Sequence, residues 1–88
     1  MSSPSPELRR QVIAIYKELL YLGREYPHPE GFRYFRPRLH AAFAANAHLR
    51  DDDAVRRAVA RAHYIKREIE ALYYLKRYRT LRKRYSEA

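Results

Sequence analysis

Apolar positions at 12, 15, 19, 22 and 26 (Val12, Ile15, Leu19, Leu22, Tyr26) step by three and four along the first third of the chain. That spacing lines one face of a helix. Ile13, Tyr16 and Leu20 widen the face on one flank, and Lys17 and Arg24 lie one above the other just beyond it. Ser5 is placed to cap this helix, with Pro6 at its first position and Glu7 in its first turn, where each is favoured. The pattern predicts helix 1 from about Pro6 to Glu25, with Gly23 offering room for another backbone to approach. Pro27 and Pro29 stop it in a stiff YPHPEG turn.

Phe35, Leu39, Ala42 and Phe43 form the inward stripe of a second helix, expected from about Phe32 to Ala47. Pro37 removes a backbone donor and disfavours helix at Arg36. Either this helix starts late, near Arg36, or Pro37 lies in its first turn. Neither Gly nor Pro occurs from Asp51 to the end. A third helix, capped by Asp51 or Asp52, is therefore expected to reach about Tyr85 and to overhang the others. Ala58, Ala62, Ile65, Ile69 and Leu72 are its expected core stripe. Beyond Leu72 the apolar set moves to Tyr74, Tyr78, Leu81 and Tyr85, well over 90° round the helix. Two stripes on different faces imply two burial partners, and only the first has a partner within the chain. The fold expected is all-α: one domain over residues 6–88, a three-helix antiparallel bundle with a long, overhanging third helix, preceded by a disordered Ser/Pro-rich segment at residues 1–5.

Charge adds a partner class. Nineteen Lys and Arg against ten acids give +9 in 88 residues, which suits an acidic protein, a nucleic acid or an anionic membrane. The absence of cysteine excludes disulfides, thiolate metal sites and cysteine nucleophiles. No apolar run approaches the roughly 20 residues that span a bilayer. The N-terminus has the plan of neither a secretory signal nor an Arg-rich presequence, and the amphipathic, basic first helix is a candidate internal targeting signal. His28, His40, His48 and His63 share no ligand spacing, so no metal site is expected. Glu68 and Glu70 project to different faces. With no phosphate loop or Ser/His/Asp plan either, an enzyme is not expected.

Two constellations remain open on composition alone. Six basic residues between 76 and 84 interleave with Tyr74, Tyr78, Leu81 and Tyr85. This is the make-up of a protein-interface anchor, of a nucleic-acid grip, or of a solvated helix. The change of stripe at Leu72 favours the interface. Ala54, Ala58, Ala60 and Ala62 stand where a self-sufficient bundle would use Leu. A gap lined by Ile15, Leu19, Leu39, Phe43, Val59, Ala62, Ile65 and Ile69 could hold an alkyl chain; close packing with a bias towards alanine is the plainer alternative.

Ile15-Tyr16-Lys17, LLYLGREYP (19–27), YFRPRLHAAF (34–43) and EALYYLKRYRTLRKRY (70–85), in this order and spacing, resemble the LYR-motif proteins, small helical mitochondrial adaptors. The likeness is strongest to the branch of that family that regulates the electron transfer flavoprotein. Ile15 and Lys17 replace the Leu and Arg of the motif, and Pro37 interrupts the second segment. The resemblance implies a matrix protein, not an enzyme, that binds acyl carrier protein through Tyr16, Lys17, Arg38 and Phe43. Its cofactor inventory would be empty, with acylated phosphopantetheine supplied by the carrier to the alanine-bordered gap. It implies the electron transfer flavoprotein as second partner and promotion of FAD loss as the outcome; it assigns no residues to that contact, and the Tyr/Arg tail of the third helix, led by Tyr74, Tyr78, Arg79 and Arg82, is the surface expected to dock there. The alternatives are an adaptor for iron–sulfur delivery or a respiratory complex, a subunit held in a larger assembly, and a basic nucleic-acid-binding module.

Overall fold

A computed structural model of the protein describes residues 4–87, without the side chains of residues 80, 81 and 83–87. Of the segment 1–5 expected to be disordered, residues 1–3 lie outside the described residues, as do the expected roles of Leu81 and Tyr85, whereas Ser5 is held by hydrogen bonds to Leu8 and Asp52. Helix α1 spans Pro6–Leu22 and continues as a 3-10 turn over Gly23–Glu25; α2 spans Phe32–Ala45 and α3 spans Asp52–Glu87.

The caps form as the sequence requires. Ser5 Oγ accepts from the Leu8 N–H at 3.3 Å, and Asp51 Oδ2 accepts from the Ala54 N–H at 3.2 Å. The Ser5 N–H also donates to Asp52 Oδ1 at 3.3 Å, which holds the start of α1 beside the start of α3. At the other end, the Tyr73 hydroxyl donates to the Leu22 carbonyl at 2.7 Å. Helices α1 and α3 are therefore parallel, and α2 runs back between their ends.

The turn into α2 depends on Gly31, at φ 56° and ψ −123°, a region that side chains disfavour. Its carbonyl receives the N–H groups of Tyr34 and Phe35, both at 3.1 Å. Neither expectation about Pro37 holds: α2 starts at Phe32, and Pro37 stands in its second turn. The missing N–H leaves the Arg33 carbonyl without its helical donor. Both residues are exposed, so water can satisfy it. The helix ends at Ala45 with Asn46 as its cap, two residues short of the expected limit.

Two apolar clusters hold the bundle. Ile15, Leu19, Phe35 and Leu39 are buried together, with Tyr16, Leu20, Tyr26, Phe43, Ala62 and Ile69 packed around them. Leu8, Val55 and Val59 form a second cluster near the helix starts, flanked by Val12 and Leu49. Gly23 permits the first cluster, because a Cβ there would run into the ring of Phe35. The close neighbour is thus an aromatic side chain, not the expected backbone.

The face that α3 turns to α1 differs from the expected core stripe. Val55, Val59, Ala62, Lys66, Ile69 and Tyr73 make the seam, with Lys66 Nζ 2.7 Å from Glu18 Oε1. Ala62 and Ile69 belong to both sets. Ala58 is only half-buried, while Ile65 and Leu72 are 41% and 43% exposed. The long stems of Lys66 and Tyr73 carry apolar surface under a polar tip, so they can occupy seam positions that a hydrophobic count passes over.

Candidate functional site

Among the described residues, the backbones of α2 and α3 do not approach each other, and each packs on α1 or its 3-10 extension. Phe35 anchors α2 beside Gly23. The wedge left between the three helices is a groove of about 580 Å³, within the range of small-molecule sites. Val12, Ile13 and Ile15 line it from α1, Ala42, Phe43 and Ala47 from α2 and the following turn, and Val55, Ala58, Val59, Ala62 and Ile65 from α3. Ala42, Ala47, Ala58 and Ala62 keep it open, because each stops at Cβ where a leucine would fill the space. Ala54 and Ala60 do not line it.

Five of the eight residues expected around an alkyl chain lie on this groove: Ile15, Phe43, Val59, Ala62 and Ile65. Leu19 and Leu39 are buried in the first cluster, and Ile69 packs against it. These three sit further along, where α2 is drawn tight against α1.

The polar border was missed. Arg9, Arg50 and Arg61 reach the groove with Asn46, and none of the described lining residues is acidic. The Arg50 guanidinium donates to the carbonyls of Ala47 at 2.8 Å and Leu49 at 3.1 Å, which holds the α2–α3 connection. Arg9 and Arg61 each stand one turn before an apolar groove residue, Ile13 and Ile65. That i, i+4 relation could have flagged them.

Of the residues expected to meet a carrier, Tyr16 and Phe43 come together. Their rings meet edge to face at 4.9 Å, with 79° between the planes, a favoured aromatic geometry. Phe43 lines the groove and Tyr16 supports it. Lys17 is exposed on the same helix. Arg38 is held apart from the groove: its guanidinium lies 3.7 Å from the centre of the Tyr34 ring. His28 lies at the same 3.7 Å, nearly parallel to that ring. Two groups at that distance must occupy opposite faces, so Tyr34 is sandwiched and Arg38 is held by a cation–π contact.

Beyond Tyr73 the long helix leaves the bundle. Tyr74 and Tyr78 are 69% and 51% exposed, and Arg79 and Arg82 are exposed. Arg77 reaches back to Glu25 at 3.6 Å in a solvent-exposed pair. Among the described residues no group of acids and histidines could hold a metal ion. No helix there is long and apolar enough to cross a membrane.

An open three-helix wedge under a Tyr–Phe edge pair, with a projecting third helix, defines a small all-α binding protein. The sequence profile described as Complex 1 protein (LYR family) matches residues 10–65, and the chain belongs to that family. It is 52% identical to the zebrafish (Danio rerio) LYR motif-containing protein 5B, over 91% of this chain and 93% of the relative. It is 50% identical to the electron transfer flavoprotein regulatory factor 1 of Taeniopygia guttata, over 89% of this chain and 88% of the relative. The protein of that name from Homo sapiens is 40% identical, over 89% of this chain and 84% of its own length. No solved structure matches the chain.

Proposed function

We propose that the protein is a non-enzymatic adaptor of the mitochondrial matrix that binds acyl carrier protein and regulates the electron transfer flavoprotein by promoting loss of its FAD. The observation that carries the first half is the open, acid-free groove of about 580 Å³ between α2 and α3. The carrier's acyl chain lies in it, and phosphopantetheine follows the chain out past the rim. At about 0.8 kcal/mol per buried CH₂, a chain of about eight to fourteen carbons contributes several kcal/mol after ordering costs. Tyr16 and Phe43 form the aromatic contact. Lys17 and Arg38 meet carboxylates of the carrier and the phosphopantetheine phosphate through charge-assisted hydrogen bonds. The net charge of +9 favours an acidic carrier.

Support for the second half comes from the names of the flavoprotein-regulating relatives and from the exposed Tyr and Arg residues of the α3 arm. In this reading Tyr74, Tyr78, Arg79 and Arg82 dock on the flavoprotein. A binder that prefers the FAD-free conformation shifts the population towards flavin loss, and no catalytic residue is needed.

Co-expression with acyl carrier protein and intact-mass measurement tests the first half. The expected result is a one-to-one complex bearing an acylated phosphopantetheine, and copurification of nucleic acid without carrier refutes it. For the second half, flavin fluorescence is followed on mixing with the flavoprotein. Tyr78→Ala with Arg82→Ala is expected to slow release. Unchanged release would remove the arm from the mechanism.

A further inference from the structure

The face of α3 turned away from the bundle carries a second pattern. Ala60, Tyr64, Arg67, Ala71, Tyr74 and Tyr78 follow one another at steps of four, three, four, three and four. At 100° per residue they draw one stripe centred about 140° round the helix from the seam that packs on α1. All six are exposed, and Tyr64 is 57% exposed. The stripe runs about 27 Å at 1.5 Å per residue.

Single exposed tyrosines need no explanation; three of them, Tyr64, Tyr74 and Tyr78, on one face with two alanines do. This row starts at Ala60, beside the bundle, so the overhang of α3 does not account for it. Alternation of four and three is the spacing by which one helix seats its side chains between those of another. A helix is therefore the shape that fits.

The charges select which helix. From Arg56 to Arg82 the chain carries nine Lys and Arg and only two acids, Glu68 and Glu70. The Glu68 carboxylate sits beside the Tyr64 hydroxyl and pushes its pKa up, so that acid is directed at the stripe's own tyrosine. A second copy of α3 is a poor occupant. Laid parallel, it sets Arg67 against Arg67; laid antiparallel about Ala71, it brings Glu70 near Glu70 and Arg61 near Arg82. Like charges in either arrangement disfavour pairing.

We infer that the outer stripe of α3, from Ala60 to Tyr78, is a docking seam for an amphipathic helix of the flavoprotein whose apolar residues are flanked by Asp and Glu. This deepens the reading of α3 as the flavoprotein-facing arm and rests on it. It also moves the contact inward: Tyr64 and Ala71, neither of them in the arm beyond Tyr73, become contact residues.

The test measures the dissociation constant of purified electron transfer flavoprotein for the adaptor–carrier complex, by calorimetry at low and high salt. Helical content and carrier retention are checked for every variant. Tyr64→Ala and Ala71→Glu are each expected to weaken binding about ten-fold or more, as loss of a central aromatic anchor or insertion of a like charge does. Added salt weakens the unaltered complex. If both variants stay within two-fold of the unaltered chain while Tyr78→Ala weakens binding, the partner stands and the seam is overturned. If the unaltered chain does not bind the flavoprotein, the reading of the partner falls and this inference falls with it.

Discussion

The Tyr73 hydroxyl donates a hydrogen bond to the Leu22 carbonyl at 2.7 Å, joining α3 to the last residue of α1. That bond marks where the long helix stops being part of the bundle. Leu22 lies in the last turn of α1, whose carbonyls have no further helical donors of the usual kind. Burial raises the Tyr73 pKa first, and the Glu25 carboxylate adds to it. Tyr73→Phe is expected to lower stability by about 1 kcal/mol, a fall in melting temperature of about 4–8 °C for a domain of this size. Thermal unfolding followed by circular dichroism checks it, and an unchanged midpoint would refute the role of the bond.

Gly23 and Phe35 set the crossing of α1 and α2. Gly23→Ala places a methyl group against the Phe35 ring, a clash that typically costs about 1–3 kcal/mol. Phe35→Leu in the same chain should recover part of the loss, which single and double variants measured together would reveal. Additive losses would refute the contact.

Filling the groove should separate folding from carrier binding. Ala58 is half-buried on the groove wall and outside both apolar clusters. Ala58→Leu is expected to preserve helical content and the melting midpoint of the free chain. It should reduce recovery of acylated carrier on co-purification at least several-fold, because the added carbons occupy the chain's space. Undiminished recovery would mean that the acyl chain lies elsewhere.

The Glu18–Lys66 pair gives a pH dependence with a definite sign. The hydrogen bond from Lys66 holds the Glu18 pKa below its ordinary 4.5. The same bond to Glu18 raises that of Lys66 above 10.5. A depressed carboxylate contributes stability above its unfolded pKa and loses it as pH falls through the folded value. A raised lysine contributes below its unfolded pKa and loses it as pH rises through the folded value. Glu18→Gln should therefore be slightly less stable than the unaltered chain at pH 7. The difference should close as pH falls through the lowered folded-state value of Glu18. Denaturant unfolding of the two chains across that range decides it. A gap of constant size would show that the pair does not titrate with folding.

Much of this protein was legible along the chain because its signals are local. Ser5 with Pro6 starts α1, Asp51 starts α3, and Gly31 makes the turn into α2. Each works through hydrogen bonds or dihedral limits within a few residues. The same holds for the overhang, since an unbroken helix of 36 residues outruns one of 17. The exposure of Tyr74 and Tyr78 also lies where the chain's pattern put it.

Other features depend on how the helices cross. Pro37 sits in the second turn of α2 because the exposed Arg33 carbonyl can be hydrated, a condition set by the packing of the other face. Lys66 and Tyr73 join the α3 seam because Glu18 and the Leu22 carbonyl stand opposite them. Leu19, Leu39 and Ile69 fall outside the groove, and Arg9, Arg50 and Arg61 border it, because the groove lies towards the α2–α3 connection and away from the Gly23–Phe35 contact.

By itself, the sequence determined which segments are helical, where the first and third begin, and that the third outruns the others. The tertiary structure decided which face of each helix is buried and where the groove opens. Periodicity names a stripe only to within a residue or so, whereas the crossing of α1 and α2 at Gly23 and Phe35 sets which neighbour each side chain meets.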